Sequence, residues 1–400
     1  MGKEERFALP ESLLPLRGQI NDADSHENIP VNLWVEVYGP VMTDMVEAIS
    51  QSGLPNAAQN SKDDSEITTH NVNTLKFEKA PGAFDFKRRI EVMDFIGLDC
   101  QVMYPGGLGL YALGLYNRPN DLDYLRTIRH DRKGYAKRMV DTYNEWCSTI
   151  YRDSTRLRPI AMLAEDTPDD LHAAAKRYID RGIGGLWIPT DHPPGNVSPA
   201  SPALDRFWAL LADSNTPVLA HIGSEINSGP LHTLEWRNAP AFEGWMVGRE
   251  FSLDPWTMCT MHLGTQVFLM TMILGGVFER HPRLRFGSAE FNGHWVGPLA
   301  ENMDTFYSKA RMGQNVGRVL KQKPSDYLRR NVRIALFDFE PVGAYIDRYG
   351  LEDVYCYASD YPHIEGGLDP IGNSERALAG QSDAIRRKFY VDNCKWLLPV

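Results

Sequence analysis

Short apolar runs alternate with longer amphipathic stretches along almost the whole chain. The runs at 18–24, 99–105, 158–163, 185–188, 217–221, 284–290, 332–337 and 354–359 carry few charges, as strands buried on both faces do. Between them, apolar residues recur at helical spacing over 86–96, 133–151, 168–181, 202–214, 258–280, 294–311 and 341–349, and 383–397 reads as a closing helix. Strands and helices in strict alternation predict the α/β class. Eight of each fit one (β/α)8 TIM barrel spanning 1–400 better than an open sheet.

Two stretches interrupt the repeat. Residues 31–81 follow the first strand, and their polar middle at 59–70 is expected to be mobile. Residues 223–255 follow the fifth strand and carry Trp236, Phe242, Trp245, Met246 and Phe251, with Trp256 just beyond. Both insertions leave the barrel at the C-terminal ends of strands, where barrel enzymes build their active sites. The second insertion reads either as a lid over a bulky apolar substrate or as a subunit interface, and the latter predicts a homodimer.

Composition narrows the partners. Of the 400 residues 43% are hydrophobic and 24% charged, ordinary for a globular protein. The longest strongly apolar stretch, 267–277, is too short to span a bilayer, and the N-terminus lacks the order of a secretory signal. A cytoplasmic protein with no membrane partner is expected. Five scattered cysteines without a CxxC pair argue for reduced thiols. A formal charge of −10 disfavours nucleic acid but leaves room for an anionic small molecule. Arg88 with Arg89, Arg126 with Arg129, or Arg237 with Arg249 could meet such an anion.

Candidate chemistry gathers at the strand ends. The first strand finishes in Asn-Asp-Ala-Asp-Ser-His, so Asp22, Asp24 and His26 fall on one face by strand alternation. His221 ends Pro-Val-Leu-Ala-His, Glu290 ends Leu-Arg-Phe-Gly-Ser-Ala-Glu, and Asp360 follows Tyr-Cys-Tyr-Ala-Ser with His363 three residues on. A single polar strand end is usually a hydrogen-bonded terminus. Several metal-competent side chains at the tops of the first, fifth, sixth and eighth strands are hard to explain as packing, because buried charges without a cation would stay unpaired. Carboxylate with imidazole suits zinc, manganese or iron.

The segments DADSHENIP, PVLAHIGSE, GGVFERHPRLRFGSAEFNGHWVGPLAENMD, SDYPHIEGG and AIRRKFYVDNCKWLL resemble, in wording and order, the amidohydrolase branch that includes aminocarboxymuconate-semialdehyde decarboxylase. The resemblance implies a TIM barrel with Asp24, His26, His221 and Asp360 as metal ligands. Two departures stand out. The fourth strand, GGLWIPTDH, lacks the lysine that bridges two metals in many hydrolytic relatives. His294 follows Glu290 by four residues, a spacing at which both can reach one point, so the two are candidates, with His363, for a second metal site. Equally, His294 and His363 can be groups that orient the ligands.

The SDYPHIEGG-like ending is also similar to a TIM-barrel nonheme diiron monooxygenase of platensimycin and platencin biosynthesis. That likeness implies a secondary-metabolic oxidoreductase that hydroxylates a bulky, diterpenoid-like, coenzyme A-linked substrate. It would use two iron ions, dioxygen and an electron donor. Asp24, His26, His221, Glu290, His294 and Asp360 would then hold the metals, with Glu290, His294 and His363 in catalytic roles. The alternative is a mononuclear zinc- or manganese-dependent hydrolase or decarboxylase, in which Glu290 or His294 moves the proton.

Overall fold

The computed structural model describes residues 6–52, 62–223, 236, 239–243, 255–309 and 319–398. Among the described residues nine short parallel strands line the barrel: β1 Ile20–His26, β2 Leu98–Tyr104, β3 Leu157–Pro159, β4 Ala161–Met162, β5 Leu186–Trp187, β6 Val218–His221, β7 Phe286–Ala289, β8 Val332–Ala335 and β9 Tyr355–Cys356. The expected third strand is divided into β3 and β4. Pro159 has no amide hydrogen to continue a ladder there. Across the break, Ile160 N–H donates to Met103 O (3.0 Å), whereas Ala161 N–H turns to Gly185 O (3.2 Å).

Pairing runs β1-β2-β3 and β4 through β9 in sequence order. The ends meet where Ala23 N–H donates to Tyr357 O, His26 N–H to Tyr361 O (2.8 Å) and Asp360 N–H to Asp24 O (2.9 Å). The sheet is therefore closed, and it is the TIM barrel that the alternation predicts. The strand residues Ile20, Val102, Met162, Leu219, Phe286 and Ile334 are all buried in the core, Phe286 against Phe268 of the helix layer.

The helices follow local signals. Helix Phe86–Ile96 begins where the Asp85 carboxylate accepts from the Lys87 and Arg88 amides, and ends at Gly97 in the left-handed region (φ 97°). The single helix expected over 258–280 is three: Pro255–Thr260, Leu263–Leu274 and Val277–Arg280. Gly276, at φ 72°, ends the second of these breaks. Residues 255–274 are apolar enough for a membrane crossing by composition, yet Phe268, Leu269, Met272 and Ile273 are buried in the core. Helix Gly107–Asn117 carries no amphipathic periodicity, because it is apolar and buried nearly all round.

Where it is described, the first insertion is built, not loose. It contributes helices Trp34–Tyr38, Thr43–Ser52 and Thr69–Thr74, and buries Trp34, Met42, Met45 and Ile49. Its polar middle does not behave as expected where it is described. Asp63 accepts the amides of Gly82 (2.8 Å), Phe84 and Asp85 (both 3.0 Å) and pairs with Arg88 (3.0 Å), so its charge is what fixes the segment. Residues 59–61 lie outside the described residues. So do Arg237, Trp245, Met246, Arg249 and Phe251 of the second insertion. Of its remaining aromatics, Trp236 is exposed and Phe242 packs against Trp256, with ring centroids 5.1 Å apart.

Candidate metal centre

The first strand does not run straight into the site. Asp22 pairs with Gln101 and Ser25 with Met103, so three residues of β1 span two of β2. This bulge separates the fates of Asp22 and Asp24. Asp22 is consumed inside the barrel, accepting from Ser359 N (2.9 Å), Ser359 Oγ (2.6 Å) and Gln101 Nε2 (2.8 Å). Burial pushes its carboxyl up to about 6 against those bonds. Asp24 and His26 instead meet residues from the far side of the barrel.

His221 closes β6, and its Nδ1 lies 2.6 Å from Ile222 O. A carbonyl only accepts, so Nδ1 carries the hydrogen and the Nε2 lone pair faces the centre. Glu290 and Asp360 are the residues that turn away from strand ends, and both sit in the left-handed region (φ 57° and 51°). Such a conformation costs a non-glycine residue about 1–2 kcal/mol and is typical of functional sites. His363 returns to the site through a tight turn, its amide donating to Asp360 O at 2.7 Å.

His26 Nε2 is the hub. It lies 3.5 Å from Asp24 Oδ1, 3.4 Å from Glu290 Oε1 and 3.4 Å from Asp360 Oδ1. His221 Nε2 is 3.6 Å from both Asp24 Oδ1 and Glu290 Oε2. His363 Nδ1 is 3.3 Å from Asp360 Oδ1, and its ring stacks on that of His26 at 3.9 Å. Most of these gaps exceed a good hydrogen bond. They match the edges of a coordination shell with metal–ligand bonds of about 2.1 Å.

The donors form two overlapping groups, Asp24–His26–His221–Glu290 and His26–Glu290–Asp360–His363, each with its ligand atoms within 4.8 Å of one another. All are buried. Asp24 Oδ1, His26 Nε2, His221 Nε2, Glu290 Oε1 and both Asp360 oxygens make no hydrogen bond. A divalent cation would satisfy them, so the residues fit the metal.

The electrostatics agree. Burial, with Glu290 and Asp24 close by, pushes the Asp360 carboxyl well above its ordinary range. Burial acts the same way on Glu290, but His221 and His26 outweigh it and hold that carboxyl low. Burial opposes the charged form of His26, yet Asp24 and Glu290 raise it well above the usual imidazole value. Burial and the neighbouring His26 lower His363 to about 3.

His294 does not join. It is exposed and packs edge-on against His262, with ring centroids 4.7 Å apart. The spacing argument needed a helix from Glu290 onward. Instead Glu290 and Asn292 are both left-handed, and the helix starts only at Val296. Among the arginines weighed as anion partners, Arg88 is tied to Asp63, Arg89 is buried, and Arg126 and Arg129 are exposed.

Three residues near the site went unnoticed in the sequence. Tyr104 ends β2, and its ring lies 4.4 Å from that of His221; reading every strand end would have found it. Glu365, buried with neither carboxylate oxygen hydrogen-bonded, is pushed up to about 7 by burial and the nearby Glu290. Lys76 arrives from the first insertion, whose Phe77 amide donates to Pro362 O at 2.8 Å; nothing in the local sequence marks it. Trp187, in the run expected as the fourth strand, meets His221 edge-on with ring centroids 5.5 Å apart.

Residues 120–400 match the model of the amidohydrolase family, and the chain belongs to that family of enzymes. No curated protein matches. Among solved structures, an amidohydrolase from Mycobacterium avium subsp. paratuberculosis K-10 is 20% identical with a TM-score of 0.65, over 95% of this chain and 99% of its own. A 5-carboxyvanillate decarboxylase from Sphingomonas paucimobilis is 15% identical (TM-score 0.59; 96% and 99% covered). A 5-carboxyvanillate decarboxylase from Novosphingobium aromaticivorans, with bound manganese, is 18% identical (TM-score 0.56; 100% and 99% covered). At these identities the likeness is one of fold.

Proposed function

We propose that the protein is a mononuclear, manganese- or zinc-dependent lyase or hydrolase that acts on a carboxylic acid, with non-oxidative decarboxylation as the first reaction to test. The observation that carries this is the convergence of Asp24, His26, His221, Glu290 and Asp360, all buried and all with ligand atoms lacking hydrogen bonds. Manganese in a 5-carboxyvanillate decarboxylase of the same fold supports the choice of metal and of substrate class. When bound, the ion would polarise a substrate carboxylate or acidify a water.

Asp24, His26, His221 and Asp360 would hold it. Glu290, shared by both donor groups, and His363 would move the proton. Tyr104 walls the site beside His221. Burial of the whole set keeps bulk water from the reacting atoms.

A second reading keeps two iron ions, dioxygen, an electron donor and a bulky coenzyme A-linked substrate. What favours it is the surplus of donors. Six residues in two groups that share His26 and Glu290 exceed what one ion with an open position needs. In this version His363 takes the ligand role once given to His294. Two experiments separate the readings. Metal analysis of protein loaded with manganese, zinc or iron should give about one equivalent per chain if the site is mononuclear. The loaded protein should then release carbon dioxide from hydroxylated aromatic acids without consuming oxygen. About two iron per chain with oxygen uptake on an acyl-CoA would favour the second reading. Neither carbon dioxide release nor hydrolysis across the panel would overturn the first.

A further inference from the structure

Arg89 lies behind the metal centre on helix Phe86–Ile96, with none of its side chain exposed. Nε donates to Gly82 O at 2.6 Å, Nη2 to His26 O at 2.8 Å and Nη1 to Gln101 Oε1 at 3.4 Å. The guanidinium carbon sits 4.8 Å from the centroid of the Tyr361 ring. Each contact belongs to a different wall of the site. Gly82 lies just past the first insertion, His26 ends β1, and Tyr361 directly follows Asp360. Through Gln101 the chain of bonds continues to Asp22, which holds the amide and hydroxyl of Ser359, the residue before Asp360.

One guanidinium therefore spans the seam where β1 meets the end of β9. That seam sets the 3.4 Å between His26 Nε2 and Asp360 Oδ1. Filling the space behind a barrel does not require a cation. Burying a guanidinium costs several kcal/mol, and an apolar side chain of similar volume would pack there more cheaply. What arginine supplies is a planar fork that binds three partners in fixed directions and stacks on a ring.

We infer that Arg89 is the positioning residue of the metal centre, fixing the separation of His26 and Asp360 across the barrel seam. This rests on the metal-centre reading above, but not on which reaction the centre performs. Lysine at this position keeps the charge and loses the fork. Ligand-orienting partners of this kind are worth about 10–100-fold in metal affinity.

The test is manganese binding by the full chain, read by titration and by the electron paramagnetic resonance spectrum of the bound ion. Arg89→Lys and Arg89→Met should bind manganese about 10–100-fold more weakly and show a broadened spectrum. Tyr361→Leu, which removes the ring face together with the hydroxyl's hydrogen bond to Pro81 O (2.6 Å), carries the test if Arg89→Met does not fold. Arg158→Met is the control. That buried arginine bonds Thr155 O and Leu398 O, away from the site, so its loss should lower stability and leave affinity and spectrum unchanged.

Folded Arg89→Lys with wild-type affinity and spectrum overturns the inference, as does Arg158→Met weakening binding to the same degree. If wild-type protein takes up no divalent ion, the metal reading itself has failed. If it binds the ion and the Arg89 variants bind equally well, only the positioning role has.

Discussion

Asp360→Asn should stabilise the metal-free protein and shrink the stabilisation that metal brings. The side chain is buried, faces Glu290 and Asp24, and has its carboxyl pushed well above the ordinary range. A folded-state value above the unfolded one means stability is fully present below the unfolded carboxyl value and is lost as pH rises through the folded one. At pH 7.5, metal-free Asp360→Asn should therefore be more stable than metal-free wild type, and the gap should close towards pH 4. Metal favours wild type instead. Manganese at about 1,000 times its dissociation constant stabilises wild type by about 4.1 kcal/mol. Unfolding entropy of about 2.1 cal/mol/K per residue converts this to a rise of about 5 °C in Tm for 400 residues. If losing the Asp360 oxygens weakens binding about 100-fold, the same manganese gives about 1.4 kcal/mol, or about 2 °C. Differential scanning fluorimetry with and without chelator reads both effects. A metal-free variant less stable than wild type, with the full manganese shift intact, would refute the reasoning.

His294→Ala should retain wild-type metal stoichiometry, because the imidazole is exposed and turned towards His262; loss of an ion on metal analysis would return His294 to the ligand set. Gly366→Ala places a Cβ against the Ser359 carbonyl and 3.1 Å from Asp360 Cβ. It should cost about 1–3 kcal/mol in denaturant unfolding and weaken manganese binding, whereas an unchanged midpoint and affinity would contradict the packing described. Glu340 is raised by burial to about 7 while accepting the Gly293 (2.7 Å) and Phe337 (3.1 Å) amides. Glutamine mimics its neutral form. Wild type should therefore lose stability relative to Glu340→Gln as pH climbs from about 4.5 to 7, by about 3 kcal/mol at most, and a pH-independent difference would exclude that titration.

The barrel was legible because buried parallel strands leave a plain signal of short charge-free runs with polar ends. Strand-end reading alone reached Asp24, His26, His221, Glu290 and Asp360, all of which the structure brings together. It failed where backbone conformation decides direction. Nothing in Glu290-Phe-Asn-Gly-His announces two left-handed residues, so a helical spacing was assumed and His294 was aimed at the wrong place. Alternation likewise put Asp22 beside Asp24, and the bulge in β1 sends Asp22 to Ser359 instead. Arg89 acts through contacts distant in sequence, which periodicity does not encode. Arg89 looked like a surface charge able to meet an anion, and it is a buried tie between strands.

Anomalous scattering from crystals of manganese-loaded protein would locate the divalent-metal centre buried at the C-terminal ends of the barrel strands. A peak is expected within about 2.3 Å of ligand atoms from Asp24, His26, His221 and Asp360, with His294 outside the shell. No peak among these residues, or one centred on His294 and His262, would contradict it.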